Sequence, residues 1–378
     1  MSAAALPEAQ VVAAQRCASC PKMCRSACPT LAVTANERHQ PWGHARTVVA
    51  ALGGQDGFAE PATVAAAFAC ATCGACTVPC LVKGVETTEL SWAVRAAVFD
   101  AGATPAAGLR AVAEASAGRV RVADSPPAWT DPAATLDALR RLATPGADLL
   151  LLPGCGALGH RPEAALAAGR ALRGLRIAFT VLDEHRCCGA PARSFGDTAA
   201  AVAMLDRLGA AIAAAAVRRV AVQSPSCAHL LATHAPGPAG VAVEPLAGVL
   251  AAGLASAGTP AGHGRVAYHD PCFLARHLDH TAEPRAVLRT LGHEVVELRG
   301  RGATTACSGG GGGLPLTHPA IADGYRDRLA AAVAEAAGAG AAALVTGCAT
   351  CAARLAGAVP VPVLELAEAC AAALEARR

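Results

Sequence analysis

Two runs of cysteine carry the chemistry of this chain. The first is Cys17-Ala-Ser-Cys20-Pro-Lys-Met-Cys24-Arg-Ser-Ala-Cys28-Pro29, and the second is Cys70-Ala-Thr-Cys73-Gly-Ala-Cys76-Thr-Val-Pro-Cys80. A cubane 4Fe–4S cluster takes four thiolates, one per iron. Three cysteines in one turning loop wrap a face of the cube, and the fourth arrives from further away. In two-cluster ferredoxins the fourth cysteine of each run serves the other cluster. On that pattern Cys17, Cys20, Cys24 and Cys80 hold one cluster, and Cys70, Cys73, Cys76 and Cys28 hold the other. The second run has the usual C-x2-C-x2-C-x3-C spacing. The first has one extra residue between Cys20 and Cys24, and proline precedes Cys80 instead of following it. Structural zinc also uses CxxC pairs, but repeated four-cysteine runs ending in C-x3-C favour iron–sulfur.

The whole chain sets bounds on what surrounds these runs. Its 378 residues leave room for two or three domains. The 17 cysteines are odd in number and fall at metal-ligand spacings, and residues 1–17 show no basic start followed by an apolar core. Both features argue against a secreted disulfide scaffold and for a reducing cytoplasm. A net charge of +3 without a Lys/Arg run gives no nucleic-acid signature. The most apolar stretches, 199–217 and 239–256, are Ala-rich and broken by Asp206-Arg207 and Glu244-Pro245. No direct membrane span is expected, since a span needs about 20 strongly apolar residues. Any place at the inner face of a membrane would come through a partner.

Residues 1–105 read as helices separated by cysteine loops, with helical spacing at 42–52 and a start near Thr87 for 86–99. Residues 106–146 read as a proline-bearing linker with short helices at 109–117 and 134–142. From residue 147 strands and helices alternate, which implies parallel sheets. Strands are expected at 148–152, 176–182, 219–224, 241–243, 265–269, 294–298, 342–346 and 361–364. Residues 147–258 and 263–378 share the order strand–Cys, strand–Cys loop, strand–Cys, an internal duplication. The fold class expected is α plus α/β: an α-helical two-cluster ferredoxin-like domain over 1–105, then a duplicated α/β module with parallel sheets.

The duplicated part carries eight more candidate ligands: Cys155, Cys187, Cys188 and Cys227, then Cys272, Cys307, Cys348 and Cys351. Buried small hydrophobes are the bland alternative. Their places at strand ends and in Gly-rich loops favour a site, because ligands of parallel sheets bind there. Cys370, inside an Ala-rich terminal helix, reads as packing. Gly309–Gly313 lacks the Gly-Lys-Ser/Thr ending of a phosphate loop and reads as backbone that can approach a cluster and donate N–H to sulfur. His185, Arg186, His269, Asp270, Arg276 and His277 flank cysteines and read as tuning or packing residues. Lys22 and Arg25 compensate cluster charge or face a partner.

In this order the chain resembles the heterodisulfide reductase / glycolate oxidase iron–sulfur subunit superfamily. The resemblance rests on the two N-terminal runs, Cys155, Cys187-Cys188-Gly189-Ala-Pro191, Tyr268-His-Asp-Pro-Cys272, Glu283-Pro-Arg285, Cys307-Ser-Gly-Gly310 and Cys348-Ala-Thr-Cys351. It implies a two-cluster ferredoxin domain fused to two CCG cysteine-rich domains. A complete CCG domain has one cysteine, a Cys-Cys pair and a CxxC, and its five thiolates can hold a non-cubane cluster where heterodisulfide reductase cleaves its substrate. Other members pass electrons from a flavin subunit. Here the first domain lacks the CxxC partner of Cys227, and Ser308 replaces the second cysteine of the other pair. Each domain keeps four thiols. With no flavin or nicotinamide motif, the function expected is an iron–sulfur electron-transfer subunit of an oxidoreductase. It relays electrons through two 4Fe–4S clusters between a flavoprotein dehydrogenase-type partner and the CCG module, with one or two further clusters there left open. The alternative is a heterodisulfide reductase-like catalytic subunit.

Overall fold

Leu149–Leu152, four leucines in a row, are all buried and form strand β1, as an apolar run covered on both faces should. The computed structural model describes residues 6–55, 57–118, 132–234, 240–257 and 264–376. Prolines 126 and 127 of the expected linker, and most of the expected boundary at 256–263, lie outside them. The chain forms two compact units. One gathers Met1–Asp124, Gly189–Val202 and Ala306–Asp327, and the other gathers Ser125–Cys188, Ala203–Thr305 and Arg328–Arg378. Neither follows the linear order of the sequence, because the segments after Cys188 and around Cys307 belong to the first.

The first unit is helical. Pro29, Pro41 and Pro61 open the helices Pro29–Thr34, Pro41–Leu52 and Pro61–Phe68, where the missing proline N–H costs nothing. The Glu60 carboxylate caps the third by accepting from the amides of Ala62 (3.0 Å) and Thr63 (3.2 Å). Helix Glu8–Ala18 packs on Pro41–Leu52 and on Thr87–Asp100, leaving the cysteine runs as the loops between them.

The second unit holds two parallel sheets. Strands β1, β2 (Arg219–Val222) and β3 (Ala242–Pro245) form one, in the order β1-β2-β3. Strands β4 (Arg265–His269), β5 (Glu294–Glu297), β6 (Ala343–Thr346) and β7 (Val363–Glu365) form the other, in the order β5-β4-β6-β7. The strand expected over 176–182 does not form. Arg176 turns through a left-handed φ of 59°, the Ile177 amide bonds back to Leu172, and the Phe179 carbonyl accepts from Thr144. Only Thr180 pairs with β1, donating to Leu149 O and accepting from Leu151 N, both at 2.8 Å. With Thr180 in the place of a strand, the first sheet repeats the order of the second, so the duplication extends to topology.

A π-helical turn follows the first cysteine of each half, Gly156–His160 after Cys155 and Phe273–His277 after Cys272. The first turn packs on helix Ala349–Leu355 and the second on helix Pro225–Thr233, so each half supports the cysteine-bearing end of the other. One core joins the halves, with Leu151, Leu172 and Phe179 in the same cluster as Tyr268, Val345 and Leu374.

Beneath the second turn lies a buried ion cluster. The Arg285 guanidinium donates to both oxygens of Asp270 and to both oxygens of Glu297, each at 2.7 Å. Asp270 also accepts from the Gly302 amide at 2.8 Å, and its carbonyl accepts from the Thr305 hydroxyl at 2.8 Å. Asp270 and Arg285 therefore fix the loop that bears Cys272. Removing one member of a buried pair strands the other and costs about 3–5 kcal/mol. Asp270→Ala should lower the urea midpoint of the full chain correspondingly. A loss below about 1 kcal/mol would remove the brace from the account.

Candidate iron–sulfur site

The extra residue of the first cysteine run is taken up by Lys22, which adopts a left-handed φ of 61° before the 3-10 turn Met23–Ser26. That turn carries Cys24 back toward Cys17, which ends helix Glu8–Ala18. Burial pushes the Cys17 thiol up to about 12, and Cys20, Cys24 and Cys80 add to the rise. Cys24 is raised by burial and then by Cys20 and Cys80. These four sulfurs thus feel one another. The Lys22 amide donates to Cys20 Sγ at 3.3 Å. Its ammonium meets Glu37 at 2.5 Å and stands 3.8 Å from the centre of the Trp42 ring.

The second group crosses between the runs. Cys28 stands at the N-cap of Pro29–Thr34 and is pushed up to about 12 by burial, against the amides of Leu31 and Thr30, with Cys70 and Cys73 adding to the rise. Burial raises Cys76 well above its ordinary range, opposed by the Thr87 hydroxyl 2.9 Å away and reinforced by Cys73, Cys70 and Cys28. Cys70 is raised by burial and pulled back by Arg95, and its sulfur accepts from the Thr72 amide at 3.3 Å. The loop turns through left-handed Thr72 and Gly74.

Two other segments of this unit reach the second group. The Gly309 amide donates to Cys307 Sγ at 3.4 Å. Gly312, at φ +63°, lies so close to the Cys70 loop that an added Cβ would stand 2.8 Å from Cys70 O and from Ala71 C. The glycine run expected to approach a cluster thus packs on the second cysteine loop. Tyr325 is buried beside Cys73, Cys70, Cys28 and Cys307, and its hydroxyl bonds the hydroxyl of Thr30.

In the second unit Cys155, Cys187, Cys188 and Cys227 come together. Cys155 is raised first by a hydrogen bond with Cys187, then by burial, then by the charges of Cys187 and Cys227. Cys188 is raised by hydrogen bonds with Cys187 and Cys227 ahead of burial. The Cys155 sulfur lies 3.3 Å from His185 Nε2. Gly154 must lack a side chain, since a Cβ there would stand 2.6 Å from Ser224 Cβ and 3.3 Å from Cys227 Sγ. Cys272 opens its π-turn and Cys348 caps helix Ala349–Leu355. Cys348 is the exception among these thiols. A hydrogen bond from Cys351 lowers it to about 7 despite burial, helped by the amides of Cys351 and Thr350. Cys307 belongs to the other unit. Cys370 is fully buried in the hydrophobic core.

Iron fits these N-terminal groups chemically. Neighbouring thiols such as Cys17 and Cys24, or Cys28, Cys70 and Cys76, are raised by burial and by other thiols, so they cannot all ionise without a cation among them, and iron supplies it. Amide donors to sulfur complete the environment that a cluster needs. A single zinc would draw its sulfurs to about 2.3 Å from one point. Among the described residues no three or more His, Cys, Asp or Glu side chains are gathered so as to hold one metal ion.

A 4Fe–4S dicluster domain matches residues 13–83, and the CCG cysteine-rich domain matches twice, over 149–232 and 266–356. The chain belongs to the heterodisulfide reductase / glycolate oxidase iron–sulfur subunit superfamily. Its N-terminal domain is of the 4Fe–4S dicluster type, so iron–sulfur clusters are its cofactors. A probable membrane-anchored ferredoxin of Chromohalobacter salexigens is 30% identical over 331 residues, which are 82% of this chain and 48% of that protein. A component of the dihydromethanophenazine:CoB–CoM heterodisulfide reductase of Methanosarcina barkeri is 27% identical over 273 residues, 67% of this chain and 64% of that one. This superfamily member thus spans about half of the first relative and under two-thirds of the second. Among solved structures, glutamate racemase RacE1 of Bacillus anthracis aligns with 62% of this chain and 82% of its own at 12% identity and a TM-score of 0.29, too distant to bear on fold or function. No helix among the described residues is long and apolar enough to cross a membrane.

Sequence reasoning missed Arg95 and Tyr325, which sit in helices well away from the cysteine runs, and Thr30, two residues after Cys28, and it did not pair Asp270 with Arg285. Gly312→Ala should cost about half of the N-terminal iron, read by metal analysis. Gly54→Ala is the control, with a similar φ of +72° and open space around it. Equal iron in the two variants would show that the glycine run does not support the second cysteine loop.

Proposed function

We propose that this chain is the iron–sulfur subunit of an oxidoreductase, relaying electrons between a flavoprotein dehydrogenase-type partner and its own CCG module. The observation that supports this reading is that Cys80 adds to the rise of Cys17 and Cys24, while Cys28 is raised with Cys70 and Cys73 and itself raises Cys76, so the fourth cysteine of each run acts on the other run. Cys17, Cys20, Cys24 and Cys80 bind one 4Fe–4S cluster, and Cys28, Cys70, Cys73 and Cys76 bind the second. When bound, such clusters supply one-electron carriers. The protein's own part is to hold iron in a fixed frame, keep water away and donate N–H to sulfur, all of which set potential.

The first group is the face for the partner. Cys20 and Cys80 are half-buried, and Met23, Val78 and Leu81 beside them are exposed at 46, 45 and 76%. An apolar patch ringed by polar groups marks a docking surface. Cys155, Cys187, Cys188 and Cys227, which raise one another, are the candidate ligands of a further iron–sulfur centre. Membrane association, where it occurs, comes through the partner.

A second reading, reduction of a disulfide at a CCG-bound centre, is favoured by Cys348. It caps helix Ala349–Leu355, and a hydrogen bond from Cys351 three residues on lowers it to about 7, below an ordinary thiol. A thiol added to oxidised protein that alters its paramagnetic spectrum supports this reading. Electron uptake from a flavoprotein with no thiol response supports the relay.

The crossed ligation has its own test. In the reduced protein Cys80→Ala should change the same paramagnetic signal as Cys17→Ala, and Cys28→Ala the same signal as Cys73→Ala. If Cys80→Ala instead tracks Cys73→Ala, the two runs bind separately and the crossed sets are wrong.

A further inference from the structure

Arg95 is fully buried in helix Thr87–Asp100. Its hydrogen-bond acceptors are four main-chain carbonyls. Nε donates to Ala67 O at 2.9 Å, Nη1 to Ser194 O at 2.8 Å and to Gly312 O at 2.9 Å, and Nη2 to Cys70 O at 2.5 Å. The guanidinium stands 5.2 Å from the centre of the Phe68 ring, which stacks on Phe195. Other shielded arginines of this chain meet acids. Arg285 pairs with Asp270 and Glu297, Arg193 with Glu89, and Arg161 with Glu368. Among the described residues no carboxylate pairs with Arg95.

An isolated buried cation costs several kcal/mol after relaxation. Carbonyl dipoles and a ring face satisfy its hydrogen bonds and offset part of that cost, but they carry no net charge. Of the four proposed ligands of the second cluster, Cys70 lies against Arg95, its carbonyl accepting from Nη2. Four thiolates around a cubane leave it with net negative charge, and that charge sits where Cys70 does.

We infer that Arg95 is the built-in counter-charge of the cluster held by Cys28, Cys70, Cys73 and Cys76, a positioning residue that raises that cluster's reduction potential above the value the same four cysteines would give alone. The inference rests on the proposed ligand set. One-electron reduction adds a negative charge, so a fixed cation stabilises the reduced form more than the oxidised one, and losing the cation lowers the potential. Through Ser194 O and Gly312 O the same side chain ties the segments after Cys188 and after Cys307 to the Cys70 loop. A loose cluster loop would then cost charge compensation as well as geometry. Beside the first group, Lys22 and Arg25 are both paired with Glu37. The two clusters are thereby made unequal, which gives electron flow a direction.

The test is a redox titration of anaerobically purified full-length protein followed by electron paramagnetic resonance, on wild type, Arg95→Lys and Arg95→Gln. Arg95→Gln should lower one of the two N-terminal midpoints by at least tenfold in equilibrium constant, about 59 mV for a one-electron couple. The other midpoint should stay. Arg95→Lys, which keeps the charge and loses the fork, should shift by less than a third of that. No shift in Arg95→Gln, equal shifts of both signals, or equal shifts in the two variants would overturn the inference. If Arg95→Gln loses its cluster, Arg95→Lys decides: retention at an unshifted midpoint supports the charge role, and loss or a full shift overturns it. Wild-type protein without two N-terminal signals would instead refute the ligand sets.

Discussion

Like charges cannot be buried together without a counter-charge, and most of this structure follows from that constraint. Cys17 and Cys28 are pushed up to about 12 by burial and by other thiols. The sites are organised for something that turns repelling thiols into ligands. The cysteine loops borrow support from distant segments.

That borrowing shows where sequence-distant residues matter. Left-handed turns at Lys22, Thr72 and Gly74 bend the cysteine loops tightly enough to present their sulfurs together. Arg95 and Gly312 then clamp the Cys70 loop from outside, so residues more than 200 positions downstream decide its shape. In the α/β unit the same logic appears at the two π-turns. Each bears the first cysteine of one half and leans on the last cysteine-bearing helix of the other. π-turns are frequent at functional sites, and their repetition ties them to the cysteines they follow.

The local features were legible in the sequence. Cysteine spacing pointed to iron, helical spacing placed the helix at 42–52, a capping threonine placed the start of the one at 86–99, and apolar runs placed seven strands. The strand expected at 176–182 was lost to interactions that no local pattern carries: the turn at Arg176 and the bond from Thr144 to Phe179. Arg95 was invisible because an arginine in an amphipathic helix ordinarily points to water, and its burial depends on carbonyls from three separate segments. Asp270 and Arg285 stood within recognised motifs, yet only the structure makes them a brace. Spacing reveals ligands, whereas charge compensation lies in long-range contacts.

The central claim is that the N-terminal thiols exist to hold two iron–sulfur cubanes. Iron, acid-labile sulfide and zinc measured per chain on anaerobically purified protein test it directly. The account predicts about eight iron and eight sulfide from the N-terminal sets, with any further iron assigned to the CCG cysteines. Stoichiometric zinc with neither iron nor sulfide would contradict it.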